Sequence, residues 1–159
     1  MIEYTSKDKN KDKKSILLVE DSPEDYEAIV RAFKKSGLDI PIYHCSDGDE
    51  ALDFIFAKKE KEVEGNEILP DLIILDLNLP ATGGIEVLEA LKKNELYKKI
   101  PVVVLTTSAY DEDIENCYNL GVNSYVRKPV NIPDLFTAIG KLKDYWLDLS
   151  ILPKEINRQ

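Results

Sequence analysis

The sequence predicts an α/β fold, a doubly wound parallel sheet of five strands with helices on both faces. Three observations carry that reading. Strand-length apolar runs recur at residues 16–20, 42–45, 72–75, 102–106 and 124–127. Segments with helical spacing and helix-start signals separate them. The runs ILLV, LIIL and VVVL lack polar alternation, as expected of parallel strands covered on both faces.

The helices follow in order. Ser22-Pro23-Glu24-Asp25 opens the first with an N-cap, a proline at the first position and acids facing the positive end of the helix dipole. Its apolar face runs through Ile29, Val30 and Phe33 and stops near Ser36-Gly37. Asp47 and Glu50 make a capping-box-like start to the second, with Leu52, Ile55 and Phe56. The third follows Thr82-Gly83-Gly84 and carries Val87, Leu88 and Leu91. The fourth covers residues 111–120 and ends at Gly121. Asn131 and Pro133 begin the fifth, which presents Leu135, Ile139 and Leu142 and continues through Tyr145, Trp146 and Leu147. Alternating strands and helices require right-handed crossovers. The arrangement expected is the flavodoxin-like (βα)5 unit with strand order 2-1-3-4-5.

The 159 residues divide into a basic leader (1–14) expected to be disordered, the domain (15–145) and a C-terminal tail (146–159). The leader holds five lysines against three acids, so of the net charge of −9 the remainder carries −11. An acidic body disfavours nucleic acid, whose binding depends on neutralising phosphates. No apolar run is long enough for a membrane span, and the N-terminus lacks the apolar centre of a signal peptide. A cytoplasmic location is expected. Cys45, Cys117 and His44 are too few for a disulfide framework or a zinc site, and the two thiols read as buried and free. Residues 58–70 form a charged connection longer than usual for this fold.

Sites in such a sheet lie beyond the carboxyl ends of the strands. Those ends carry Glu20-Asp21, Asp76, Thr106 and Lys128. Core packing gives no reason for polar residues after four of five apolar runs. Three clustered carboxylates repel one another, and a hard divalent cation with oxygen ligands resolves that repulsion. An aspartate is a competent nucleophile towards phosphorus. The transferred phosphoryl oxygens then need a cation, an ammonium and a hydroxyl donor. Asp76, with Glu20, Asp21, Lys128 and Thr106, supplies that set.

The stretches ILLVEDSPED, PDLIILDLNLPATGG, IPVVVLTTSA and YVRKPV occur in order over residues 15–145. Together they resemble the receiver domains of bacterial two-component response regulators. The resemblance implies that Asp76 is the phosphoacceptor, taking its phosphoryl group from a histidine kinase. It implies that Mg²⁺ is bound by Asp21, Asp76 and the Asn78 backbone carbonyl, with Glu20 acting through a metal-bound water. Thr106 and Lys128 would contact the phosphoryl group, and Lys128–Pro129 would be a cis peptide. Thr106 and Tyr125 would move together as the switch, reshaping the face of the fourth helix, fifth strand and fifth helix. Thr107 stands where a smaller residue is common and would crowd the acyl phosphate. The long loop before the third strand and the Trp-Leu…Leu-Pro tail resemble the small regulators of phytochrome-type histidine kinases.

Two other function classes are weaker. A phosphatase of the dehalogenase type needs a general acid two residues after the nucleophile, and Asn78 cannot titrate. A phosphorylation-independent interaction module leaves the acid set unexplained. The apolar side chains of Trp146, Leu147, Leu149, Ile151 and Leu152 either fold back or meet a partner. A two-fold homodimer through the switch face and the tail is expected.

Overall fold

The computed structural model describes residues 2–4, 14–56 and 69–153. In chain order the strands are β1 (Ile2–Tyr4), β2 (Ile16–Val19), β3 (Ile42–Cys45), β4 (Leu72–Leu75), β5 (Val102–Thr106) and β6 (Ser124–Arg127). The helices are α1 (Pro23–Lys35), α2 (Gly48–Phe56), α3 (Gly84–Lys93), α4 (Asp111–Leu120) and α5 (Ile132–Lys143), the last running on as a π-helical turn, Asp144–Leu149. The sheet order is β1-β3-β2-β4-β5-β6. Its parallel part is the order expected from the five predicted strands.

Local signals explain most boundaries. Ser22 Oγ accepts the Asp25 N–H and Asn131 Oδ1 accepts the Asp134 N–H, so each cap satisfies a donor the helix leaves free. At α2 the box is offset by one residue: Asp47 Oδ1 takes the Glu50 N–H, while Glu50 accepts from the Ser46 N–H. Gly121 ends α4 in the left-handed region at φ 98°.

The sheet separates two apolar layers. Leu17, Val19, Ile73, Leu75, Val102 and Val104 face α2, α3 and α4, whereas Ile16, Leu18, Leu72, Ile74, Val103 and Leu105 face α1, α5 and the π-helical turn. Alternation along strands covered on both sides produces this split. β6 is the exception: its residues are half-buried or exposed, as its polar composition and edge position dictate. Cys45 and Cys117 are buried, and burial pushes their thiols up to about 12 and about 11.

Three expectations need correction. The leader is not wholly disordered, because Ile2–Tyr4 pairs antiparallel with β3 in the register Ile2↔His44, Glu3↔Tyr43, Tyr4↔Ile42. Without it β3 would present an open row of backbone donors and acceptors. The rest of the leader and most of the 58–70 connection lie outside the described residues. Lys128–Pro129 is trans, since no peptide bond among the described residues is cis. Trans is the form a prolyl bond prefers by about 0.5–1 kcal/mol. The tail is also less separate than expected: Leu147 and Leu152 are buried among α1 and α5 residues, while Tyr145, Leu149 and Ile151 stay exposed.

Two glycines let the loop after β4 lie close to its neighbours. A Cβ on Gly48 would stand 1.8 Å from the Thr82 carbonyl oxygen, and one on Gly84 2.3 Å from that of Asp76. Ala81, between them, holds a positive φ of 61°. Gly48→Ala and Gly84→Ala should therefore each destabilise by at least about 1–3 kcal/mol in urea unfolding. Gly140→Ala, in open space within α5, should instead stabilise by roughly 0.5–1 kcal/mol. Equal effects at the three positions would contradict this packing.

Candidate functional site

Strand register assembles the site. Val19 pairs with Leu75, so Glu20 and Asp76 leave β2 and β4 side by side, and the Asp76 N–H donates to the Val19 carbonyl at 3.0 Å. Thr106 pairs with Arg127, and the Lys128 N–H donates to the Thr106 carbonyl at 2.7 Å. Four polar side chains thus leave four strands at one edge. Glu20, Asp76, Thr106 and Lys128 are buried, while Asp21 and Asn78 are exposed at the mouth.

The Lys128 ammonium is the centre of this group. Its Nζ donates to Glu20 Oε2 at 2.8 Å, Asp25 Oδ2 at 2.9 Å and Asp76 Oδ2 at 3.2 Å. Burial alone would lower its pKa, but the hydrogen bonds it donates to Glu20 and Asp25 and the charges of Glu20 and Asp76 outweigh it and hold the amine above the ordinary lysine range. Burial dominates at Glu20 as well and, with the Asp76 charge, pushes it up to about 7 against the pull of Lys128. The carboxylate oxygens of Glu20, Asp21 and Asp76 lie within 4.8 Å of one another. This all-oxygen, multiply charged donor set fits a hard divalent cation.

Several contacts fix these groups. Glu20 Oε1 accepts the Ser22 N–H at 3.1 Å, and Asp76 Oδ1 accepts the Asn78 N–H at 3.1 Å. His44 Nε2 lies 2.7 Å from the Glu20 carbonyl oxygen, which can only accept, so the imidazole carries its proton on Nε2 there. The ring stacks on Tyr26 at 3.9 Å between centroids. Thr106 Oγ1 accepts from Asn78 Nδ2 at 3.5 Å and from the Ser108 N–H at 3.4 Å. Thr107 is exposed at the rim and accepts from Asn78 Nδ2 at 3.2 Å. Tyr125 donates its hydroxyl to the Ser108 carbonyl at 2.9 Å, and burial raises its pKa. A route of contacts therefore runs from Asn78 through Thr106 and Ser108 to Tyr125.

All the site residues read from the sequence stand at this edge or on that route. Asp25, Ser108 and Tyr118 were missed. Asp25 carried a sufficient local explanation as a first-turn acid, though its place four residues after Asp21 was a usable signal. Ser108 acts through its backbone, which side-chain chemistry cannot announce. Tyr118 accepts the Tyr125 N–H at 3.3 Å, linking α4 to the edge strand.

The buried Glu20 carboxyl gives the cation-free protein a defined pH dependence. Its folded pKa of about 7 exceeds its ordinary 4.5, so its favourable contribution is complete below pH 4.5 and is lost as the pH rises through 7. In the presence of chelator, urea-unfolding stability should fall across this window by up to about 3 kcal/mol. Glu20→Gln should flatten the fall. A profile that rises over the same window, or that Glu20→Gln leaves unchanged, would contradict this.

Comparison with known proteins agrees with the geometry. Residues 16–140 match the family model of the response regulator receiver domain. Response regulator Rcp1 of Synechocystis sp. is 41% identical over 146 residues, 92% of this chain and 97% of that protein. The solved phosphorylated cyanobacterial phytochrome response regulator RcpA superposes with a TM-score of 0.80 at 38% identity, covering 88% of this chain and 98% of that one. The Mn²⁺-bound form of response regulator Rcp1 gives 0.79 at 40% identity, covering 89% and 99%.

Proposed function

The chain belongs to the response regulator receiver family, and we propose that it works as a switch thrown by transfer of a phosphoryl group from a histidine kinase to Asp76. The observation that carries this is the Asp76 carboxylate at the end of the central strand, 3.2 Å from an ammonium in a buried cluster of acids. In the transfer an Asp76 carboxylate oxygen forms a bond to phosphorus. The bond from phosphorus to the kinase's histidine nitrogen breaks, and its electron pair stays on that nitrogen, which leaves as imidazole once protonated. Lys128 answers the negative charge of the phosphoryl oxygens.

Glu20, Asp21 and Asp76, with the Asn78 carbonyl, are the residues that would hold the cation, and Mg²⁺ is the ion proposed. When bound, it supplies positive charge against the phosphoryl oxygens. The Mn²⁺-bound form of a related regulator supports a divalent site here. Thr106 supplies a hydroxyl donor. Turning it towards the phosphoryl group withdraws the acceptor of the Ser108 N–H, and Ser108 anchors Tyr125. Phosphorylation then reaches the α4–β6–α5 face.

The kinase proposed is of phytochrome type, a reading supported by the relative whose name places it with a cyanobacterial phytochrome. We also propose a homodimer through the α4–β6–α5 face and the tail. Tyr118, Tyr145, Leu149 and Ile151 are 51%, 53%, 74% and 79% exposed, more apolar surface than α4 and the tail need for themselves. The proposal does not require membrane or nucleic-acid contacts. No helix of the described residues is long and apolar enough to cross a membrane.

Incubated with acetyl phosphate and Mg²⁺, the protein should gain one phosphoryl group by intact mass, and chelator should prevent it. Asp76→Asn should gain none; a phosphoryl group on that variant would overturn the assignment. Lys128→Ala should still be modified at saturating Mg²⁺ but lose the accompanying spectral change. In sedimentation or light scattering the parent should run as a dimer, and Leu149→Asp with Ile151→Asp should weaken it at least roughly tenfold, about 1.4 kcal/mol. A parent monomeric at every concentration, phosphorylated or not, would refute the dimer.

A further inference from the structure

Every donor of the Lys128 ammonium is already in use. An ammonium has three N–H bonds, and Nζ has three carboxylate partners, Glu20 at 2.8 Å, Asp25 at 2.9 Å and Asp76 at 3.2 Å. Glu20 and Asp76 stand at the ends of β2 and β4 and belong to the acidic cluster. Asp25 does not. It sits in the first turn of α1 with its side chain 41% exposed, so its contact ties α1 to the connection between β6 and α5.

We propose that Asp25 is a positioning residue that competes with the phosphoryl group for Lys128 and thereby sets the rate at which Asp76 is modified. This rests on Asp76 being the acceptor. Phosphoryl oxygens arriving at Asp76 need a donor from Lys128, and none is spare. Glu20 is the harder partner to release, because its side chain is 2% exposed and water cannot take the place of the lysine there. Asp25 reaches water and can be solvated when released. Asp25 therefore slows entry of the phosphoryl group, and its release unties α1 from the β6–α5 connection.

Glu24 provides the control. It is the adjacent first-turn acid, exposed and outside the Lys128 contacts, so Glu24→Gln removes the same charge from nearly the same place. Rates of phosphorylation by acetyl phosphate, in which the phosphorus–oxygen bond to acetate breaks and acetate leaves, are compared at saturating Mg²⁺. Asp25→Asn should react about threefold faster than the parent. Glu24→Gln should stay near the parental rate, and Asp25→Glu should return towards it. A merely structural ion pair would lower the urea midpoint of Asp25→Asn and leave its rate equal or slower. If the phosphoryl oxygens simply take over the donor now given to Asp76, the Asn and Gln variants will react alike. Either of those results overturns the role of Asp25 while phosphorylation of the parent stands. A parent that takes up no phosphoryl group overturns the reading beneath it, a separate and recognisable result.

Discussion

One charge makes the site possible: the Lys128 ammonium, buried beside two buried carboxylates and a third that reaches water. Three acids gathered at the edge of an apolar sheet would repel one another and lose their hydration, and each cost grows as the dielectric falls. The lysine offsets both. It stays charged because its acceptors outweigh its burial, and Glu20 rises only to about 7 because the same lysine opposes its desolvation. The balance is incomplete, with several negative charges around one positive. That surplus suits the site to a divalent cation, and the cation with the lysine then favours an anionic phosphoryl group.

The sheet makes this arrangement precise enough to act. Each functional side chain follows directly after a paired strand residue, so the hydrogen-bond ladder sets its position more than loop conformation does. Where a loop is unavoidable, after β4, it is held by close backbone approach at Gly48 and Gly84 and by the Asp76–Asn78 turn. The surroundings of Tyr125 are tied by fewer hydrogen bonds. β6 is an edge strand, and Tyr125 is held by one hydroxyl bond to Ser108 and one backbone bond to Tyr118. The acids are thus set by the strand ladder, and Tyr125 by two hydrogen bonds and its packing on the core.

Much of this was legible in the sequence, because the strong signals were long-range regularities. Apolar runs marked the strands, and the polar residues at the ends of four of the five runs are the ones the sheet brings together. Asp76 and Lys128 needed only the rule that doubly wound sheets bind at strand ends. Asp25 was overlooked for the opposite reason: a first-turn acid satisfies the helix dipole and asks for no further explanation. β1 is three residues inside a charged segment, too short for any periodicity. The apolar residues of the tail divide, Leu147 and Leu152 turning inward while Leu149 and Ile151 turn out, which their spacing alone does not decide.

The site depends on the state of one nitrogen, which can be observed directly. With the protein labelled at lysine nitrogen, the Lys128 ζ signal should be slow to exchange with water in the cation-free protein and should titrate above the ordinary lysine value of about 10.4. It should shift when the protein is phosphorylated and be absent from Lys128→Ala. A Lys128 signal that exchanges like a surface lysine, or titrates below that value, would mean the acids are not held by this ammonium, and the account would fail at its centre.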